Sequence, residues 1–138
     1  MIETEKNYLH SELSDRIIKC YYMVYNTLGF GFLEKVYQKS MEIELDKNNI
    51  LFEKQYPIKV YYDNLIVGEY YADLFVDTKI IIEIKATESL SKENELQLIN
   101  YLKSTKIEVG LLLNFGKKPE IRRKVYTNDK KNFNINQC

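Results

Sequence analysis

Asp73, Glu83 and Lys85 are the residues of this chain whose types and spacing could do chemistry. They lie in Val67–Val76 and Lys79–Lys85, two runs rich in β-branched and aromatic residues. Joined by Asp77-Thr78, the runs predict an antiparallel hairpin. In the second run Ile80, Ile81, Ile82 and Ile84 mark a strand buried on both faces. Glu83 and Lys85 interrupt it two residues apart, so both point to one side. A charge isolated in an apolar interior is strongly unfavourable unless it is paired or holds a metal.

If Asp73 faces Glu83 across the hairpin, two carboxylates and an ammonium converge on one patch. Hard divalent cations such as Mg2+ or Mn2+ take oxygen ligands of this kind, few of them from protein. Such a metal polarises a phosphoryl oxygen and lowers the pKa of a bound water. A nearby lysine positions or deprotonates that water, or offsets the charge growing on phosphorus. The register sets a condition. A two-residue turn at Asp77-Thr78 pairs Asp73 with Ile82 and sends Glu83 to the opposite face. Convergence therefore needs an odd-numbered loop, or a bulge, between Val76 and Ile80. The alternative is a cross-strand salt bridge on a solvated sheet face.

The elements that must position this hairpin follow from apolar periodicity. Leu13, Ile17, Tyr21, Val24 and Leu28 predict an amphipathic helix from about Ser11, ended by Gly29 and Gly31. A second helix follows, with Leu33, Tyr37, Met41 and Leu45 as its stripe and Asn48-Asn49 as its stop. Glu34 borders that stripe near the helix start. It either reaches inward or is an ordinary solvated glutamate favoured there by the dipole. Tyr56–Tyr62 alternates as a half-buried strand and turns at Asp63-Asn64 into a strand beginning near Leu65. Ser91 caps a third helix, with Leu98, Leu102 and Ile99 buried and Gln97 and Tyr101 on an adjoining face. Ile107–Phe115 is a central strand reached by this helical crossover, hence parallel to its partner in the hairpin. Glu120–Tyr126 is a further, weaker strand. The whole reads as one α/β domain over residues 1–126, in the order ααβββαβ(β), with residues 127–138 expected to fray.

At 138 residues the chain suits one domain with a real core. Twenty acidic and twenty basic residues cancel, so any polyanion site must be local. Lys117, Lys118, Arg122, Arg123 and Lys124, followed by Lys130 and Lys131, form one basic stretch. It could hold a nucleic-acid backbone or serve as a solubilising fringe. Two cysteines and a single histidine argue against a disulfide framework, a zinc cluster and a histidine-activated nucleophile. No signal-peptide pattern or long apolar run is present, so a cytoplasmic location and no membrane partner are expected.

Asp73 followed by Glu83-Ile84-Lys85 resembles the motif of the PD-(D/E)xK nuclease superfamily, with Ala72 where many members carry proline. Gly31-Phe32-Leu33-Glu34-Lys35-Val36-Tyr37 is similar to the signature of the GxxExxY family within it. The likeness runs from about Leu13 to Gly116. It implies a three-layer α/β/α restriction-endonuclease-like fold and a Mg2+- or Mn2+-dependent nuclease acting on DNA. By that resemblance Asp73, Glu83, the Ile84 carbonyl and Glu34 are metal ligands, and Lys85 is the catalytic lysine. Gln97 and Tyr101 look like the Gln-xxx-Tyr pair of RecB-type nucleases, the alternative being an ordinary polar helix face. The iron–sulfur clusters of some such relatives need four cysteines, so none is expected. Superfamily members of this size, Holliday-junction resolvases among them, often act as dimers, so a homodimer or partner protein is a further expectation. A non-catalytic nucleic-acid-binding or regulatory module of the same fold stands beside the nuclease reading. Hydrolysis of another phosphate ester is a third.

Overall fold

The computed structural model describes residues 8–132; expectations for residues 1–7 and 133–138 lie outside them. Helices α1 (Ser11–Leu28) and α2 (Glu34–Lys47) precede strands β1 (Phe52–Tyr62), β2 (Leu65–Val76) and β3 (Ile80–Lys85). Helix α3 (Lys92–Lys103), strands β4 (Val109–Phe115) and β5 (Pro119–Val125), and a 3-10 turn at Asn128–Lys130 complete them. The strands lie in the order β1-β2-β3-β4-β5. Only β3 and β4 are parallel, because α3 carries the chain back across the sheet between them.

Alternation along the central strands divides the core in two. Leu74, Val76, Ile80, Ile82, Ile84, Leu111 and Leu113 point towards Ile17, Tyr21, Val24, Tyr37, Met41 and Leu45 of α1 and α2. Phe75, Ile81 and Leu112 point the other way, towards Leu98, Tyr101 and Leu102 of α3. The result is the expected α/β/α sandwich with a mixed sheet. Covering both faces explains why β3 and β4 are near-continuous apolar runs, and why a glutamate within β3 is buried.

Several local expectations are met by the chemistry that motivated them. Gly29, at φ 68°, closes α1 with its N–H on the Tyr25 carbonyl. Ser91 caps α3 and exchanges hydrogen bonds with Asn94 in a capping box. Asp63 and Asn64 take φ 51° and 66° in the β1–β2 turn. Pro57 sits well inside β1, tolerated because β1 is the sheet edge. Among the described residues no helix is long and apolar enough to cross a membrane.

Two apolar assignments differ. Leu33 is 77% exposed, because it is the extended N-cap of α2 rather than part of the helix, so helical spacing does not reach it. Tyr101, expected on a face adjoining the buried one, is only 5% exposed and packs in the cluster containing Ala72, while Ile99 is half-buried. Of the tail expected to fray, Asn128 donates its N–H to Glu108 Oε2 at 2.7 Å. Lys131 Nζ donates to the Thr105 and Ile107 carbonyls at 2.8 Å each.

Tyr37 ties the entry of α2 to the sheet. Its ring stacks on Phe115 with centroids 4.2 Å apart and planes 9° apart. Its hydroxyl donates to the Gly29 carbonyl at 2.7 Å and accepts from the Phe32 N–H at 3.2 Å. Gly31, at φ 110°, supplies the backbone conformation that lets the loop close on that hydroxyl. Tyr37→Phe keeps the stack and removes both bonds, so urea unfolding should show a loss of about 1–3 kcal/mol. Unchanged stability would contradict this pinning role.

Candidate active site

The hairpin loop is Asp77-Thr78-Lys79, with Val76 paired to Ile80 and Leu74 to Ile82. Asp77 and Thr78 both take φ 51°, and the Lys79 N–H bonds the Val76 carbonyl at 2.9 Å. That is a two-residue turn of the primed kind plus one added residue. The loop is odd-numbered, so continuing the register sets Asp73 opposite Glu83.

The backbone ladder stops short of them. Its last β2–β3 pair is Leu74–Ile82, and Gln55 (φ 52°) interrupts β1 opposite Asp73 on the other side. Side chains take over the hydrogen bonding. The Asp73 N–H donates to Glu83 Oε2 at 2.9 Å, and the Ile84 N–H donates to Asp73 Oδ2 at 2.7 Å. Among the described residues Asp73 Oδ1 and Glu83 Oε1 accept no hydrogen bond, so each carboxylate keeps one oxygen uncommitted. From α2, Gln38 Nε2 reaches the Asp73 carbonyl at 3.4 Å and Glu42 at 3.2 Å.

Both carboxylates resist ionisation here. Burial, with the Asp73 charge adding to it, pushes Glu83 from an ordinary 4.5 up to about 8. Burial also raises Asp73, against the Ile84 N–H and the Lys85 ammonium, which pull it down. Glu34 stands exposed in the first turn of α2, and its charge raises both. Lys85 is half-buried and makes no hydrogen bond or ion pair among the described residues. The Tyr101 hydroxyl is pushed up to about 12, first by burial and then by Glu83 and Asp73. The structure thus gathers Asp73, Glu83, Lys85, Glu34 and Tyr101 into one electrostatic neighbourhood. Gln97 lies on its border, in a groove that Tyr101 also lines.

Among the described residues, no group of three or more His, Cys, Asp or Glu side chains is arranged to hold a metal. Two facing carboxylates with an uncommitted oxygen each are nevertheless a donor set that suits Mg2+, which takes one or two protein carboxylates and completes its octahedron with water and phosphate.

The expected nucleic-acid contacts do not form one patch. Lys117 and Lys118 are exposed between β4 and β5. Arg122 lies 3.4 Å from Glu120 and 3.7 Å from Glu95, and Lys124 lies 2.5 Å from Glu95. Arg123 points to the opposite face, over the Tyr8 ring and on the Leu9 carbonyl. Strand alternation in β5 causes this split.

Sequence reasoning missed Gln38 as a positioning residue, for a polar side chain on α2 carries no signal of what it meets. It also missed Asn114. Paired with Lys85 in the β3–β4 ladder, Asn114 bonds the Thr87 N–H and carbonyl at 3.0 Å each, and Glu120 at 3.0 Å. A fully buried asparagine at the end of an apolar run was the available clue.

The raised Glu83 has a sign that can be tested. Its folded pKa lies above its unfolded one, so its favourable share of stability is complete below about pH 4.5 and is lost as pH rises through about 8. Glu83→Gln keeps an oxygen for the Asp73 N–H and removes the charge. Metal-free Glu83→Gln should be more stable than wild type at pH 8.5, on the order of a few kcal/mol, and close to it near pH 5. Parallel stability–pH curves for the two proteins would refute the shift.

A family model for the PD-(D/E)XK nuclease superfamily matches residues 11–124, from the start of α1 to the penultimate residue of β5. Searches of curated proteins and of solved structures gave no match. The match spans both helices that flank the loop of Gly31, the hairpin bearing Asp73, Glu83 and Lys85, and the helix bearing Gln97 and Tyr101, so the chain belongs to the PD-(D/E)XK nuclease superfamily.

Proposed function

We propose that this chain is a metal-dependent nuclease that hydrolyses phosphodiester bonds in DNA. The observation that carries the reading is the pair of facing carboxylates, Glu83 held by the Asp73 N–H and Asp73 by the Ile84 N–H, both resisting ionisation, with the Lys85 ammonium beside them. A fold gains no stability from leaving such a cluster without a compensating cation.

Asp73 and Glu83 would hold the cation through their uncommitted oxygens, with the Ile84 carbonyl as a further ligand and Glu34 joining them only once it turns inward from the first turn of α2. Mg2+, or Mn2+ in its place, supplies charge that polarises the phosphoryl oxygen and makes bound water more acidic. Lys85 orients the attacking water and offsets the negative charge that grows on the phosphate as the water oxygen bonds to phosphorus and the bridging P–O bond breaks. Tyr101 and Gln97 fix the geometry on the α3 side. Lys117 and Lys118, exposed and without an ion pair among the described residues, can meet a backbone phosphate, with Arg122, Arg123 and Lys124 available only where their present partners yield. Within the superfamily, the resemblance of Gly31–Tyr37 to the GxxExxY signature supports assignment to that family.

A second reading, a non-catalytic module working with a partner, draws on two observations. No three-residue metal group is preformed among the described residues, and most of the basic residues of β5 are occupied. Activity separates the two. With Mg2+ or Mn2+, labelled DNA should be cut by wild type, and Asp73→Ala and Lys85→Ala should each lower the rate by about 10²-fold or more. Binding of DNA with no cleavage under either metal would favour the module.

A further inference from the structure

Beside the carboxylate pair lies a groove of about 560 Å³ between α3 and the β1–β2 arm, lined by Val60, Tyr70, Leu96, Gln97, Asn100 and Tyr101. That volume is in the range of small-ligand sites. Tyr70 stands three residues before Asp73 on β2, and its ring centroid lies 5.8 Å from that of Tyr101. Gly68 makes room for it. A Cβ at Gly68 would come within 3.3 Å of Tyr70 Cε2, so the ring lies back along the strand over Gly68 while lining the groove. Tyr70 is 47% exposed and Leu96 56%, an apolar surface facing water directly beside the reacting groups. The opposite wall carries the amides of Gln97 and Asn100, each both donor and acceptor.

We propose that this groove receives an unpaired nucleobase next to the scissile phosphate, stacked on Tyr70 with its edge towards Gln97 and Asn100. The substrate of the nuclease proposed above is accordingly single-stranded DNA, or DNA with a single-stranded branch. Bases within a duplex present no face to stack on. Duplex binding instead relies on many cationic phosphate contacts, and this chain has zero net charge with Arg122 and Lys124 held by acidic neighbours. Single-strand binding adds base–aromatic stacking to the phosphate contacts, so it leans less on cations alone than duplex binding does.

The test uses one labelled oligonucleotide, single-stranded and annealed to its complement, with wild type, Tyr70→Ala and Tyr70→Phe. Fluorescence anisotropy with Ca2+ reads binding, and Mg2+ or Mn2+ then reads cleavage. The expected result is single-strand binding weakened about tenfold by Tyr70→Ala and restored by Tyr70→Phe, with KM rather than kcat carrying the change in cleavage. Equal or better use of the duplex, or no effect of Tyr70→Ala, would overturn the groove assignment while leaving the nuclease reading standing. Tyr70-dependent binding of the single strand without cleavage would support the groove and count against the nuclease. No binding of either form would overturn both.

Discussion

The structure turns on an exchange of hydrogen bonds where β2 and β3 stop pairing as backbone. Past Leu74 and Ile82 the Asp73 and Ile84 amides are satisfied by carboxylates instead of carbonyls. Buried amides must find acceptors, so the two acids are as necessary to the local fold as the ladder they replace. Folding thereby obliges two negative charges to lie together in a poorly solvated place. The raised pKa of Glu83 reflects that conflict. A divalent cation resolves it, and so does a proton, which is why the resting site favours protonation.

Other parts of the chain hold this arrangement in place. The odd loop at Asp77–Lys79 sets the register, the crossover through α3 covers the face on which Glu83 lies, and β4 supplies its parallel neighbour. From the other face, α2 reaches the break through Gln38, and Tyr37 pins the loop that presents Glu34. Asn114 fastens the exit of β3 to β4 and β5. Site stability and site chemistry therefore oppose each other at Glu83 and reinforce each other at Tyr37.

Much of this was legible in the residues. The apolar periods of α1 and α3, the uninterrupted run of β4 and the crossover order follow from burial patterns that tolerate few alternatives. Glu83 and Lys85 stood out because charges inside an isoleucine run contradict the pattern around them. The register was not legible. Asp77-Thr78 reads as a complete two-residue turn, and nothing about Lys79 marks it as the added residue, while Thr78 at positive φ defies the preference of a β-branched residue. Leu33 was misassigned and the full burial of Tyr101 missed because helical spacing holds only inside a helix and says little about which neighbour a face meets. Charge along β5 looked continuous in sequence and is split by alternation, with Glu95 of α3 engaging one half.

The central claim is that the Asp73–Glu83 pair is built for a divalent cation, rather than being a buried acid pair balanced by Lys85. Calorimetric titration of Mn2+ into wild type, Asp73→Ala and Glu83→Ala at pH 7, in two buffers of different ionisation enthalpy, tests it most directly. The account predicts a saturable site in wild type that releases protons on binding and is absent from both variants. Wild type that binds no metal, or variants that bind it as wild type does, would contradict it.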